Sequence, residues 1–451
     1  MSTAKVVIVL CLFLSCTAGT KRLSFENVKV TIISTKLHYK FPDFDIRIAN
    51  SNSLMDNLKD RDPRTYDTIK IANQSIPVIY EGALSNLYVC RLSLVYCDIQ
   101  KIERGAFKNV QKLDFLTISE TTLKEIRKGV FNNLPVTTLY LDNNQIADIE
   151  SGAFDGMNKL KKIYLSINEL ETIKRGLFRN LPELKLIRMD ENRISNIELG
   201  SFENLPKLRK LIIDNNHIKQ IEDGVFENLT SLNTLFLQNN EISDIGPGSF
   251  KTLENLEVLW LQGNNLKEMK AGIFNTLNNL RELNINDNQI CSIEKGFLDG
   301  LDKLEEVDLS HNRMTNIPRG IFSNTTISDL KLGNNDIMTI EPGAFESAHM
   351  FDLDLRGNDL REIVKGIFSN LLVSRLDLSG NKIERIEEGA FENSNFQYLH
   401  LDGNRIKHIE NSIFRNVKVF YLFILDNQIN DEELDNLKNF FKCKTNTPHF
   451  V

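Results

Sequence analysis

Apolar residues return at fixed intervals along this chain, and the interval carries polar landmarks with it. The clearest copy runs from Leu256 to Leu277, with Leu256, Leu259, Leu261, Asn264, Leu266, Met269, Gly272, Phe274 and Leu277 at its marked positions. The copy before it has Leu232, Leu235, Leu237, Asn240, Ile242, Ile245, Gly248, Phe250 and Leu253 at the same offsets. The copy after it has Leu280, Leu283, Ile285, Asn288, Ile290, Ile293, Gly296, Leu298 and Leu301. Around Leu259 the alternation has period two, which predicts a short strand with Leu259 and Leu261 inward and Trp260 outward. One such strand cannot bury its apolar face alone. Stacking the copies builds a parallel sheet over a continuous core. The Asn turns the chain after the strand, and a buried amide can bond backbone of its own and neighbouring turns. Phe274 and its equivalents are expected to fill the far side of the core, behind a Gly suited to a positive φ or a close backbone approach.

The register holds from Tyr66 almost to the end. The Asn column runs Gln74, Cys97, Thr121, Asn144, Asn168, Asn192, Asn216, Asn240, Asn264, Asn288, Asn312, Asn335, Asn358, Asn381, Asn404 and Asn427, which is sixteen copies. Steps are 24 residues in the middle and 23 from Asn312 onward. This predicts an α/β repeat solenoid of about 16 repeats over residues 66–429, with a parallel sheet on the concave side and irregular or short-helical segments on the convex side. Residues 19–65 follow the pattern poorly. FENVKVTIIS predicts a strand there, and DFDIRIANSNSL has only the Ile-x-Ile spacing of a repeat strand. The region is expected to be a cysteine-free N-terminal cap, partly built as a degenerate repeat. In residues 430–451, Leu434, Leu437, Phe440 and Phe441 have helical spacing behind Asp431 as N-cap, which predicts a capping helix and a tail.

The Asn column and the G-x-F ending resemble the extracellular leucine-rich repeat superfamily, in its typical 24-residue subclass. Toll, Slit and chaoptin ectodomains and the secreted leucine-rich immune proteins of arthropods share this pattern. The resemblance spans most of the chain and implies a horseshoe fold. The motif residues are structural, so it implies binding in general and no particular ligand.

Residues 1–18 carry Lys5 near their start, continue as VVIVLCLFLSC and end in Thr17 and Ala18. That is the order of a signal peptide, with a short buried strand as the alternative. No later stretch reaches the roughly 18 apolar residues of a membrane helix. The expectation is a secreted, extracellular protein without a membrane span. The formal charge of −7 is small for 451 residues, and no Lys/Arg block stands out, so nucleic acid and anionic membranes are not expected partners. Asn73, Asn228 and Asn324 begin N-x-Ser/Thr sequons and are glycosylation candidates.

Binding chemistry is expected where strand residues face outward. The middle outward positions from strand to strand read Tyr140, Tyr164, Arg188, Ile212, Phe236 and Trp260, an aromatic and apolar stripe with one Arg. Exposed aromatics and Arg are the usual anchors of binding hot spots, although cross-strand aromatic pairs also stabilise sheets. An acidic zone follows: Glu282, Glu306, Asp308, Asp329, Asp352, Asp354 and Asp377. Lys331, Arg356 and Arg375 of the same sheet, a cation or a basic partner could offset its repulsion, and a solvated acidic face is the plain alternative. No calcium-loop spacing is present, so no metal and no other cofactor is expected. No G-x-S-x-G, H-E-x-x-H or phosphate loop is present, so an enzyme is not expected.

The function these patterns favour is a secreted binding protein recognising a protein or microbial ligand on its concave face, in host defence or extracellular signalling. A structural or adhesive matrix component is the alternative. Outside the leader the chain carries Cys90, Cys97, Cys291 and Cys443. Cys90 and Cys97 could pair only if their turn brings the Cα atoms within about 7 Å. Cys443, near the C-terminus, is the candidate for an intermolecular disulfide and hence a linked dimer.

Overall fold

The computed structural model describes residues 68–442, together with four short strands beyond them: Ile8–Val9, Val28–Ile33, Phe44–Ile48 and His449–Phe450. Most of the leader and of the cap, and Cys443, lie outside the described residues. The chain divides into two compact units, residues 1–219 with 224–232, and residues 220–223 with 233–451.

In the first unit, strands Thr68–Ala72, Arg91–Val95, Phe115–Ser119, Thr138–Tyr140, Lys162–Tyr164, Leu186–Arg188 and Lys210–Ile212 pair in parallel, each with the next. Period-two burial places Leu139, Ile163, Ile187 and Leu211 wholly inside. A second set of two-residue strands follows the Asn column, such as Glu125–Ile126 beside Asp148–Ile149. Behind it the Phe column stacks, with rings of Phe131, Phe154, Phe178 and Phe202 at 5.8 to 6.4 Å. At the entry to the ladder, Val28–Ile33 runs antiparallel to both Phe44–Ile48 and Thr68–Ala72. That antiparallel pairing differs from the parallel stacking a degenerate repeat requires. Ile8–Val9 pairs in parallel with Phe44–Ile48.

The second unit continues the same design from Thr234–Phe236 to Lys418–Phe423. Its last four ladder strands are six residues long, whereas those before them are three. The lengthening begins one turn after the 23-residue step does, since Asp329–Lys331, between Asn312 and Asn335, still has three residues. Both kinds of turn bend after the Phe, as at Phe274–Leu277 and Phe345–Ala348, but a 24-residue turn adds a second bend such as Leu277–Leu280 before its strand, where the last shorter turns enter the strand directly. One position departs from the expected pattern. Phe297, not Leu298, is buried in the Phe column. Gly272, at the landmark before Phe274, has φ +82°, a value a side chain would strain.

Helix Asp431–Lys442 follows the last turn. Its N-cap is Asn430 and not Asp431, because Asn430 Oδ1 accepts from Glu433 N–H at 2.9 Å. Leu437 and Phe441 are buried, and the Phe441 ring lies 5.2 Å from Phe414, so the helix covers the final core layer. On the side of the turns away from the ladder, the described residues hold bends and one 3-10 segment, Asn411–Phe414.

Candidate functional site

The Asn column is buried and structural. Asn264 Nδ2 donates to Leu237 O of the preceding turn at 3.1 Å and to Leu261 O of its own at 2.8 Å. Its Oδ1 accepts from Ile242 N–H at 2.9 Å. Asn144, Asn168, Asn192, Asn288, Asn312, Asn335, Asn358, Asn381, Asn404 and Asn427 likewise donate both to the preceding turn and to their own. Asn216 does so too, and Asn240 donates to Leu237 O of its own turn. Cys97 takes half of this job. Its thiol donates to Val95 O at 3.4 Å and lies 3.8 Å from Ile71 O, but it offers no strong acceptor. The neighbouring Asp98 supplies one, accepting from Ile76 N–H at 2.5 Å. Sequence reasoning missed Asp98. Burial pushes the Cys97 thiol up. Cys90, Cys97 and Cys291 are free, so Cys90 and Cys97 are not bonded to each other.

The outward face of the ladder gathers the expected stripe, and each unit holds part of it. In the first unit Tyr140 and Tyr164 stack at 4.7 Å and 13°. Arg188 follows one strand on and Ile212 two strands on. Arg188 is held by a fork of two bonds to Asp190, at 2.6 and 3.0 Å, and Ser166 Oγ donates to the same carboxylate at 2.6 Å. Burial alone would raise Asp190, but these donors outweigh it and hold its carboxyl below the usual range. Asp142 sits in the same row, accepting from Ser166 N–H at 3.1 Å. Burial pushes its carboxyl up to about 6, against the pull of that N–H and of Arg188. Burial, and then Asp190, raise Asp214 as well. This Asp row beside the aromatic stripe escaped the sequence reading, which followed only the first two outward columns.

In the second unit Phe236 and Trp260 stack at 4.2 Å and 11°. Trp260 Nε1 donates to Glu282 Oε1 at 2.5 Å, which pins the ring at the border of the acidic zone. Glu282, Glu306, Asp329 and Asp352 stand in register, with Asp308, Asp354 and Asp377 in the adjoining column. The sheet offsets much of their charge itself. Lys331 pairs with Glu306, Arg356 with Asp354 at 3.2 Å, and Arg375 forks onto Asp352. Burial raises Asp354, opposed by Arg356. Beyond the acidic zone stands a second aromatic group that sequence reasoning did not single out. Tyr398 and Tyr421 stack at 5.1 Å, and His400 and Phe423 at 4.1 Å. The 23-residue recurrence of Tyr398 and Tyr421 was the signal. Among the described residues no group of three His, Cys, Asp or Glu could hold a metal.

The three sequon asparagines, Asn73, Asn228 and Asn324, are exposed, with left-handed φ of 54°, 65° and 59°. No helix among the described residues is long and apolar enough to cross a membrane.

Models of the Leucine rich repeat family match residues 206–266, 254–314, 303–360 and 371–429, and the BspA type Leucine rich repeat region (6 copies) matches residues 78–209. The chain belongs to the leucine-rich repeat family. Among solved structures, this leucine-rich repeat chain is similar to one in the Toll–Spatzle complex, a molecular hub in Drosophila development and innate immunity. The TM-score there is 0.62 at 20% identity, over 81% of this chain and 48% of that one, so the chain spans about half the length of its match. A chain of the LRIM1/APL1C complex gives a TM-score of 0.61 at 21% identity, over 82% of this chain and 64% of that one. A leucine-rich repeat protein of Leptospira interrogans gives 0.57 at 20% identity, over 80% and 90%. These likenesses are of fold. No curated protein sequence matches the chain.

Proposed function

We propose that the chain is an exported binding protein that recognises a protein or microbial ligand through the outward face of its ladder, in host defence or extracellular signalling. The observation that carries this reading is the set of outward aromatic stacks, Tyr140 on Tyr164 and Phe236 on Trp260. Rings stacked this closely present edges, hydroxyls and one indole to a partner, and leave no gap for a flat ligand to enter between them. Such rigid, amphipathic surface is what protein hot spots use. Toll is described in complex with Spatzle, and LRIM1 with APL1C, which supports a protein ligand. The buried, internally bonded Asn column is consistent with binding and not catalysis as the task of the repeat.

The test is comparative capture from the fluid that contains the exported protein. Parent chain, Tyr140→Ala/Tyr164→Ala and Phe236→Ala/Trp260→Ala serve as baits. At least one partner is expected to be lost from a paired variant, with each anchor worth about 2 kcal/mol or more. Retention of every partner by both variants would overturn the reading.

A further inference from the structure

No run of Lys or Arg stands out along the chain, yet the 24-residue step collects one in space. Three consecutive turns of the first unit enter their strands as Lys159-Leu-Lys-Lys162, Glu183-Leu-Lys-Leu186 and Lys207-Leu-Arg-Lys210. The ladder aligns them. Lys185 N–H bonds Lys161 O at 2.8 Å and Arg209 N–H bonds Lys185 O at 3.0 Å, so Lys161, Lys185 and Arg209 form one column. Lys162, Leu186 and Lys210 form the next. Lys159, Glu183 and Lys207 form the column before them, by the same step. Seven cations thus surround one carboxylate in a protein of net charge −7. Glu183 is held low first by its bond from Lys207, and Lys185 and Lys161 act on it too. Among the described residues no carboxylate forms an ion pair with Lys161, Lys162, Lys185 or Arg209. The grid is therefore under-compensated, unlike the acidic zone of the other unit.

We propose that this grid binds a sulfated glycosaminoglycan. Strands about 4.8 Å apart hold the charges in straight columns, which suits a linear polyanion lying along the ladder. Six of the seven cations are Lys. Lys offers a compact point charge, whereas planar bidentate recognition of phosphate favours Arg. Nucleic acid fits less well, because the neighbouring Tyr140 and Tyr164 stack on each other at 4.7 Å and leave no gap between them for a base. A lipid surface fits less well too. The leucines between the basic columns, Leu160, Leu184 and Leu208, are wholly buried and leave nothing apolar to insert.

Heparin is the probe. The parent chain is expected to bind immobilised heparin with an affinity that falls as a power of the salt concentration. Lys161→Glu/Lys185→Glu/Arg209→Glu, all exposed, is expected to bind at least tenfold more weakly with an unchanged circular dichroism spectrum. Arg405→Glu/Lys407→Glu/Lys418→Glu makes the same change of net charge in the other unit and is expected to bind like the parent. Equal weakening in both triple variants, or none in either, overturns the proposal. So does parent binding to single-stranded oligonucleotide or to phosphatidylserine vesicles as tight as to heparin. These readouts are independent of the aromatic stacks, whose variants are expected to bind heparin normally.

Discussion

Single residues here carry sharply different loads according to which way the strand points them. Leu259 is fully buried and Trp260, one residue on, is half-buried with its ring on Phe236. Leu259→Ala is expected to cost about 2–5 kcal/mol by leaving a cavity, and Trp260→Ala about 1 kcal/mol, read by denaturant titration. Equal losses would refute the inside/outside assignment. Each ladder Asn follows a residue in the left-handed region, usually Asn or Gly, but before Asn168 that residue is Ile167, at φ +55° and 44% exposed. A β-branched side chain is poorly suited to that conformation. Ile167→Gly is expected to stabilise the protein by roughly 1 kcal/mol, and a lowered melting temperature would contradict this. Asp142 gives a pH dependence. Its folded carboxyl titrates near 6, above the ordinary 3.8. The folded protein therefore holds that proton more tightly, and the associated stability is present in full below the ordinary value and lost as pH rises through 6. Asp142→Asn keeps an oxygen for Ser166 N–H and removes the charge. It is expected to be about 1–2 kcal/mol more stable than the parent at pH 7.5, with the advantage gone below pH 4. A pH-independent difference would show that burial of this charge is not the cause. Such residues were only partly legible in the sequence. The inward leucines and the Asn column announce themselves by period, whereas the raised Asp142 depends on burial by neighbouring turns, which outweighs the opposing pull of Ser166 and Arg188, 24 and 46 residues away.

Elements follow from the repeat length more than from propensity. Strand positions were legible because period-two alternation and a 23- or 24-residue step cannot both be satisfied by a helix. Strand lengths were not, because they depend on how the chain leaves the preceding Phe. The 24-residue turns spend residues on a second bend, and the last four 23-residue turns extend the strand to six residues in its place. The displaced Phe297 has the same origin, since either of two adjacent apolar residues satisfies the pattern and only packing chooses. The closing helix was legible in type but not in its cap. Asn430→Ala is expected to cost about 1 kcal/mol, seen as earlier loss of helix signal on heating, whereas Asp431→Ala is expected to have little effect. The reverse order would restore Asp431 as the cap.

At the scale of the molecule, stability is distributed turn by turn along the chain. Within each unit the turns bond their neighbours through strand pairs, Asn amides and stacked Phe rings. The chemical character of the face nevertheless changes along the chain, from Lys-rich and tyrosine-lined in the first unit to acidic and charge-paired in the second. Composition concealed this, because −7 is a sum over both. The expected aromatic stripe and acidic zone were visible in the sequence as columns. The terminal Tyr398, His400, Tyr421 and Phe423 group and the basic grid were not singled out, since each draws its members from more than one column and shows only when neighbouring columns are read together.

The Asn amides have a consequence for how such a chain can change length. From Asn264 to Asn427 each makes the same bonds to whichever turn precedes it, so neighbouring turns there are interchangeable partners. Removing residues 289–312 joins Asn288 to Arg313 in register and keeps each type of bond across the seam. Such a deletion is expected to yield a folded protein, with Trp260 and Tyr398 closer along the ladder by one strand spacing, about 4.8 Å. The distance between two attached labels would measure the change. The turns then behave as a ruler with fixed graduations, on which the separation of two contact groups is adjusted by whole units while the groups themselves stay intact.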